Sequence, residues 1–272
     1  MRVFDLPVHV ASAWIFNCYL LADGDTPVVA VDAGLPMVAD RAVGVLSELG
    51  REPGAVASVL ATHGHSDHVG GIARLRERSG ASALLPERCR SYLDGEAPRR
   101  FPLLKSSVRF VPVWREQRFE MGALREFAST GRSVGYGSSD TMRVDFPVDG
   151  YLADGDQVPG APGWEVVHAP GHTDDATCYY HRDSATLLSG DTVVTHDGRA
   201  WFNPEHVEVA LSRRTEERLR ALEVRHLLPG HGHPIEAADV WATARHCEQP
   251  PDGRSVLERC SRRFGRWVEP TA

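Results

Sequence analysis

Two apolar, β-rich runs stand near the start of the chain, Trp14 to Leu21 and Pro27 to Asp32, on either side of the turn signal Asp23-Gly24-Asp25. They predict a hairpin. Met37 to Leu49 has helical apolar spacing and stops at Gly50, and Val56 to Ala61 then reads as a short strand. That strand runs straight into Thr62-His63-Gly64-His65-Ser66-Asp67-His68, so the polar cluster sits on a loop at a strand's C-terminal end. Ser66 or Asp67 is expected to cap the helix that continues through Val69 to Arg78. Ala81 to Leu85 predicts another strand.

Regularity lapses from about 87 to 147, a stretch rich in Arg, Pro, Gly and Ser with the aromatics Tyr92, Phe101, Phe110, Trp114, Phe119, Phe127 and Tyr136. It reads as an inserted, mobile substrate cap, with Gly131 to Thr141 especially loop-like. The plainer reading is an excursion that packs on the body or forms a dimer contact. Alternation resumes at Gly163 to Ala169, Ala176 to His181 and Ala185 to Leu188, and Val207 to Leu222 is amphipathic at helical period. A last strand, His226 to Leu228, feeds Pro229-Gly230-His231, and the tail from about 237 reads as helix broken by Pro250-Pro251-Asp252-Gly253. Because candidate ligands span His63 to His231, a single domain over 1–272 is expected.

Chemistry enters with four potential metal ligands within six residues, His63, His65, Asp67 and His68, joined by His172, Asp191 and His231 from three later stretches. Seven ligand-type residues imply a two-metal site. Imidazole suits zinc and iron, a carboxylate can bridge two cations, and the lack of cysteine among the seven argues against a closed structural zinc knot. His233 competes with His231 for one position, whereas His168 and His181 lie on predicted strands and read as packing histidines. Cys178, inside a strand, reads as a small buried residue. Asp174 and Asp175 either cap the next turn or make the entrance acidic.

Composition narrows the class. A formal net charge of -7 and a pI near 6.0 leave no electrostatic footprint for nucleic acid or an anionic membrane. The basic residues are arginines apart from Lys105, which reflects genomic bias. Five scattered cysteines without a C-x-x-C pair do not resemble a disulfide framework, and no run approaches the roughly 20 apolar residues of a membrane span. A cytoplasmic protein acting on a small molecule is expected, with a homodimer possible in principle.

The order THGHSDH, PGHT, GD, PGHG, preceded by Val31-Asp32-Ala33-Gly34, resembles the metallo-β-lactamase-fold superfamily over most of the chain. The resemblance implies an α/β (α+β) fold, a four-layer αββα sandwich carrying the inserted cap. It also implies that His63, His65 and His172 hold one metal, that Asp67, His68 and His231 hold a second, and that Asp191 bridges them. Zinc is the expected ion, with iron or manganese as alternatives. Two cations about 3.5–4 Å apart lower the pKa of a shared water and polarise a substrate oxygen, and Asp67 can orient that water as the catalytic carboxylate.

The superfamily splits thioesters, lactones, β-lactams, phosphodiesters and sulfate esters, and fold alone does not choose among them. After Asp191 the chain lacks the Gly-Cys-Gly-Lys or Gly-Cys-Gly-Arg pattern of glyoxalase II and the persulfide dioxygenases, and Val194 stands where acyl-homoserine lactonases carry tyrosine. From His68 to His172 there are 104 positions, longer than in compact thioesterase and lactonase relatives. The expectation is therefore a hydrolase of a thioester or lactone whose choice of substrate lies in the insertion. His196, Arg199, Trp201 and Phe202, in the stretch after Asp191, are candidates for substrate contact, and Arg199 or an arginine of the insertion can pair with a substrate carboxylate. A mononuclear iron oxygenase of the persulfide dioxygenase type, a nuclease and a non-catalytic scaffold are the competing readings.

Overall fold

The computed structural model describes residues 1–101, 103–136 and 139–267. One sheet is built from β1 (Val8–Ala13), β2 (Phe16–Leu21), β3 (Val28–Val31), β4 (Val56–Leu60), β5 (Ser82–Pro86) and β6 (Gly150–Leu152), in that order. Pairing is antiparallel from β1 to β3 and parallel from β3 to β6. The second sheet has the order β13-β12-β9-β8-β7, from β7 (Trp164–His168), β8 (Thr177–His181), β9 (Thr186–Gly190), β12 (His226–Pro229) and β13 (Ile235–Glu236). Between β9 and β12 the chain adds a two-stranded ribbon, β10 (Val193–His196) with β11 (Arg199–Phe202).

Side-chain alternation on these strands makes four layers. Cys18, Leu20, Ala30 and Val59 face outward onto Val38, Leu46 and Leu75 of α1 (Pro36–Glu48) and α3 (Ile72–Ser79). Tyr19, Leu21, Val29, Val31 and Leu60 face inward and meet Val166, Tyr179, Leu188 and Leu228 of the second sheet. That sheet turns Cys178, Tyr180, Leu187 and Leu227 out against Leu219 of α7 (Val209–Arg220). The result is an αββα sandwich, as the sequence implied.

Strands β7, β9 and β12 point the same way, because β8 is antiparallel to both β7 and β9 and β12 is parallel to β9. Their C-terminal loops, carrying His172, Asp191 and His231, therefore leave one edge of the sandwich. β4 delivers His63 to the same place. Where β4 ends, the chain makes a single turn, α2 (Ser66–Val69), and breaks at Gly70-Gly71 before α3. Neither Ser66 nor Asp67 caps a continuous helix there; the N-cap position is His65, without a side-chain cap bond, and Asp67 is turned to His231 instead. Gly34 lies so close that an added Cβ would sit 1.6 Å from the Asp67 carbonyl oxygen. Gly34→Ala should thus push the ligand turn away and cost about 2–3 kcal/mol, read as a lowered urea midpoint with reduced metal uptake.

Other expectations shift. The sequence pattern does not predict β1, since its C-terminal half Ala11-Ser12-Ala13 carries little β signal, yet it pairs with β2 along its whole length. The 87–147 stretch is not irregular throughout: it carries three short helices, α4 (Arg88–Leu93), α5 (Leu103–Phe110) and α6 (Met121–Thr130), joined by turns and loops. The tail from 237 is mostly not helix. It makes one short 3-10 turn at Val240–Thr243 and then bonds to β11, Arg245 N–H to Ala200 O and Phe202 N–H to Arg245 O, so its backbone is committed to a strand edge. Only α8 (Val256–Phe264) restores helix, opened by a Ser255/Glu258 capping box.

Candidate metal centre

All seven predicted ligands meet at that edge. His63, His65 and His172 form one group; Asp67, His68 and His231 form another; His63, His68 and Asp191 form a third, each with its ligand atoms within 4.8 Å of one another. Asp191 lies between them, with Oδ1 3.4 Å from His68 Nε2 and Oδ2 3.2 Å from His231 Nε2 and 3.6 Å from His172 Nε2. His65 presents Nδ1, 3.2 Å from His172 Nε2.

The outer ring nitrogens are already engaged. His172 Nδ1 donates to Glu205 O and His231 Nδ1 to Ile15 O, both at 2.8 Å, while His68 Nδ1 faces Asp32 Oδ2 at 3.0 Å. These bonds fix the tautomer and direct Nε2 inward. By contrast His63 Nε2, His68 Nε2 and Asp191 Oδ1 are buried without a hydrogen-bond partner. Buried donors and acceptors left unpaired are costly, so neutral imidazoles and carboxylates arranged this way fit divalent cations.

Electrostatics agree. Burial, reinforced by the neighbouring imidazoles, pushes His63 well below the usual histidine range and His65 down to about 3, and His172 is lowered as well. Burial also acts on His68 and His231, but Asp191, with Asp32 for the one and Asp67 for the other, overrides it, raising His68 well up and His231 to about 10. Asp67 falls to about 2 against its own desolvation because His231 donates to it. The carboxylates thus favour the protonated form of His68 and His231, and a cation bound at either imidazole would displace that proton.

Asp32 and Asp175 hold the ligand loop in shape. Asp32 accepts from Thr62 N–H at 2.8 Å and Thr62 Oγ1 at 2.9 Å. Asp175, fully buried, accepts from Gly64 N–H at 2.7 Å, Cys89 Sγ at 3.2 Å and the Tyr136 hydroxyl. Asp174 accepts from the Tyr92 hydroxyl and from Arg88 Nε. The two aspartates therefore neither cap a turn nor acidify an entrance; they tie the ligand loops to the first helix and the last loop of the insertion.

A cavity of about 850 Å³ opens above the candidate ligands, and the insertion supplies much of its wall, including Phe101, Phe110, Trp114, Phe119 and Phe127. Glu205 also faces it, with a carboxyl that burial and nearby Asp191 push up to about 8. Sequence reasoning flagged the insertion's aromatics but missed Trp14 and Phe16, having placed Trp14 inside a strand; it stands at the β1–β2 turn with φ 51°.

The four residues expected to contact substrate are elsewhere. His196 is clamped between Glu116 Oε1 at 2.5 Å and Glu258 Oε1 at 2.8 Å, and Arg199 lies 3.6 Å from Asp252. Trp201 and Phe202 are core, 0% and 2% exposed, on the β10–β11 ribbon that replaces the expected loop. None lines the cavity. His233 is no rival ligand either, since its Nε2 donates to Glu116 O at 2.7 Å. Cys178 is buried in β8, His168 Nε2 donates to Asp174 O, and His181 Nδ1 pairs with Ser184 Oγ.

Burial lowers the His196 pKa, but the two glutamates outweigh it and leave it above the ordinary 6.5. Its stabilising contribution is full below 6.5 and lost as pH rises through the folded value. His196→Gln should therefore cost about 1–2 kcal/mol at pH 6 and less at pH 9, measured by denaturation across that range.

With fold and ligand geometry in place, comparison identifies the class: the profile of the Metallo-beta-lactamase superfamily matches residues 13–231, and the chain belongs to that superfamily. It is a metallo-hydrolase by this membership and by its named relatives. The probable metallo-hydrolase YflN of Bacillus subtilis (strain 168) is 26% identical over 84% of this chain and 84% of its own length. A hydroxyacylglutathione hydrolase of Rhodopseudomonas palustris (strain BisB18) is 32% identical over 66% of this chain and 51% of its own. Among solved structures, a Cronobacter sakazakii metallo-beta-lactamase of the HARLDQ motif superposes with TM-score 0.55 at 20% identity, over 83% of this chain and 76% of that one. TTHA1623 in a di-iron-bound form gives 0.52 at 20%, over 84% and 93%.

Proposed function

We propose that this protein is a binuclear metallo-hydrolase that cleaves an ester-like bond, a thioester first and a lactone second, of a small or medium organic molecule. The observation that carries the reading is the convergence of five imidazoles and two carboxylates, with buried atoms left unpaired, on the floor of a mostly apolar cavity. His63, His65 and His172 would hold one cation, Asp67, His68 and His231 the other, with Asp191 shared. A bound cation pair supplies an attacking water of near-neutral pKa and polarises the acyl oxygen.

The protein's own groups do the rest. Asp67 lines the cavity, and its carboxylate, kept ionised by His231, accepts the hydrogen bond of the attacking water and orients it. Asp32 and Asp175 keep the ligand loop rigid, and the aromatic wall excludes bulk water from the acyl group. The relative named for hydroxyacylglutathione supports a thioester. Glutathione itself is disfavoured by the sequence after Asp191, and a nucleic acid by the apolar wall and the net charge.

Zinc is the favoured ion, with iron or manganese as alternatives. Elemental analysis of protein purified without added metal should give about two ions per chain. The zinc-loaded protein should turn over members of a panel of acyl thioesters and lactones. One iron per chain with oxygen uptake on thiols, or no turnover across the panel, overturns the reading.

A further inference from the structure

The wall of the cavity is amphiphilic in a directed way. Trp114, Phe119 and Phe127 are 39%, 52% and 36% exposed although they gather around Trp14 and Phe16, with ring centroids of 6.4 Å and 5.1 Å from Trp14 to Trp114 and Phe119. Apolar surface grouped at a cavity mouth is stabilised by an apolar ligand that covers it. Two guanidiniums, Arg115 and Arg132, line the same cavity, and both are exposed.

Lining the cavity sets these two apart from Arg118 and Arg125, and being unpaired sets them apart from the committed arginines nearby. Arg88 is spent on Glu96 and Asp174, Arg41 on Glu120, and Arg109 on Glu248 and two backbone carbonyls of the C-terminal segment. Arg115 and Arg132 have no ion pair or side-chain hydrogen bond among the described residues. Their anchors place them well: Arg115 stands between Trp114, whose carbonyl accepts from Trp14 Nε1, and Glu116, whose carbonyl accepts from His233. Arg132 follows Gly131, which packs on Ser66 next to Asp67.

Resting on the hydrolase reading, we propose that the substrate is an amphiphilic anion: its alkyl or aryl body fills the aromatic chamber, its scissile acyl group reaches the ligand floor, and a separate carboxylate, sulfonate or phosphate is held at the mouth by Arg115 and Arg132. A cavity of about 850 Å³ is of the size that encloses a drug-sized molecule. Guanidinium recognises each of these oxyanions with the same forked hydrogen bonds, so the shared chemistry is a tetrahedral or planar oxyanion on an apolar stem.

The change in tryptophan emission on titration tests binding apart from turnover, since Trp14 and Trp114 are the two of the six tryptophans that line the chamber. Decanesulfonate and decanol, titrated into both EDTA-treated and zinc-loaded protein, compare the anion with a neutral chain of equal length. The sulfonate should bind about tenfold tighter, and the preference should fall to within about threefold in the Arg115→Ala/Arg132→Ala double variant. Phe119→Ser should weaken both ligands alike. Equal binding of the two probes, a preference that survives the double variant, or no binding of either overturns the proposal. Sulfonate preference in a protein inert toward every thioester and lactone would sink the hydrolase reading and leave the anion site standing. Turnover that does not distinguish anionic from neutral acyl substrates would do the reverse.

Discussion

Replacing Asp191 by alanine should lower kcat/KM by about a thousandfold or more while leaving a folded protein. Its two oxygens are the group that reaches His68 and His231 together, with His172 close behind, so alanine removes what the two ligand triads share. Charge stabilisation by a correctly held cation pair amounts to several kcal/mol in the transition state, and each 1.36 kcal/mol is a factor of ten. The fold should persist because the Asp191 side chain faces only other candidate ligands, with Oδ1 lacking a hydrogen bond and Oδ2 turned to His231 and His172, while the bond from Asn203 Nδ2 at 2.8 Å goes to the backbone carbonyl. Elemental analysis should show the ion content dropping from about two to one or fewer, with circular dichroism unchanged. A variant that keeps both ions and turnover within tenfold of the parent would refute a shared carboxylate.

The convergence of the candidate ligands was legible because they sit close to regular structure. Buried strands such as β4 and β9 advertise themselves as apolar runs, and His63 and Asp191 follow them within three residues, so pattern and chemistry are read together. The cavity wall was not legible in that way. Phe110 of α5, Phe127 of α6 and Phe119 in the link between them turn toward an open chamber, and Phe119, Met121 and Phe127 stay exposed, so no clean polar face opposes an apolar one. Trp201 and Phe202 misled for the complementary reason. Aromatics beside Asp191 fit a pocket wall as well as a core in sequence, and it is the tail's pairing with β11, remote in the chain, that buries them. His196 likewise gave no sign of Glu116 and Glu258, which stand 80 and 62 positions away. Asp175 was visible as an unusual residue after His172, yet its partners Gly64, Cys89 and Tyr136 lie up to 111 positions off and only the fold brings them to it.

That last residue carries the second large expectation. The Gly64 peptide, between ligands His63 and His65, is held from both sides: its N–H donates to Asp175, and its carbonyl accepts from Tyr136 N–H at 3.1 Å. Tyr136 then closes the ring through its own hydroxyl to Asp175, with its ring centroid 4.7 Å from that of His65 in an edge-type contact. Asp175→Ala strands three buried donors at once, the Gly64 N–H, the Tyr136 hydroxyl and the Cys89 thiol. Each unsatisfied group costs on the order of 1–3 kcal/mol, so a loss of about 3–5 kcal/mol is expected after partial relaxation. Metal affinity should fall as well, by about 10–100-fold, because the loop presenting His63 and His65 loses its outer support. Tyr136→Phe is the control: it removes one hydroxyl but leaves Asp175 bound to Gly64, and should cost about 1 kcal/mol with little change in metal affinity. Urea denaturation of the metal-free proteins separates the stability term, and competition with a chelator separates the affinity term. If Asp175→Ala matched Tyr136→Phe in both, the aspartate would be an ordinary buried acid and the ligand loop would be held by Asp32 alone.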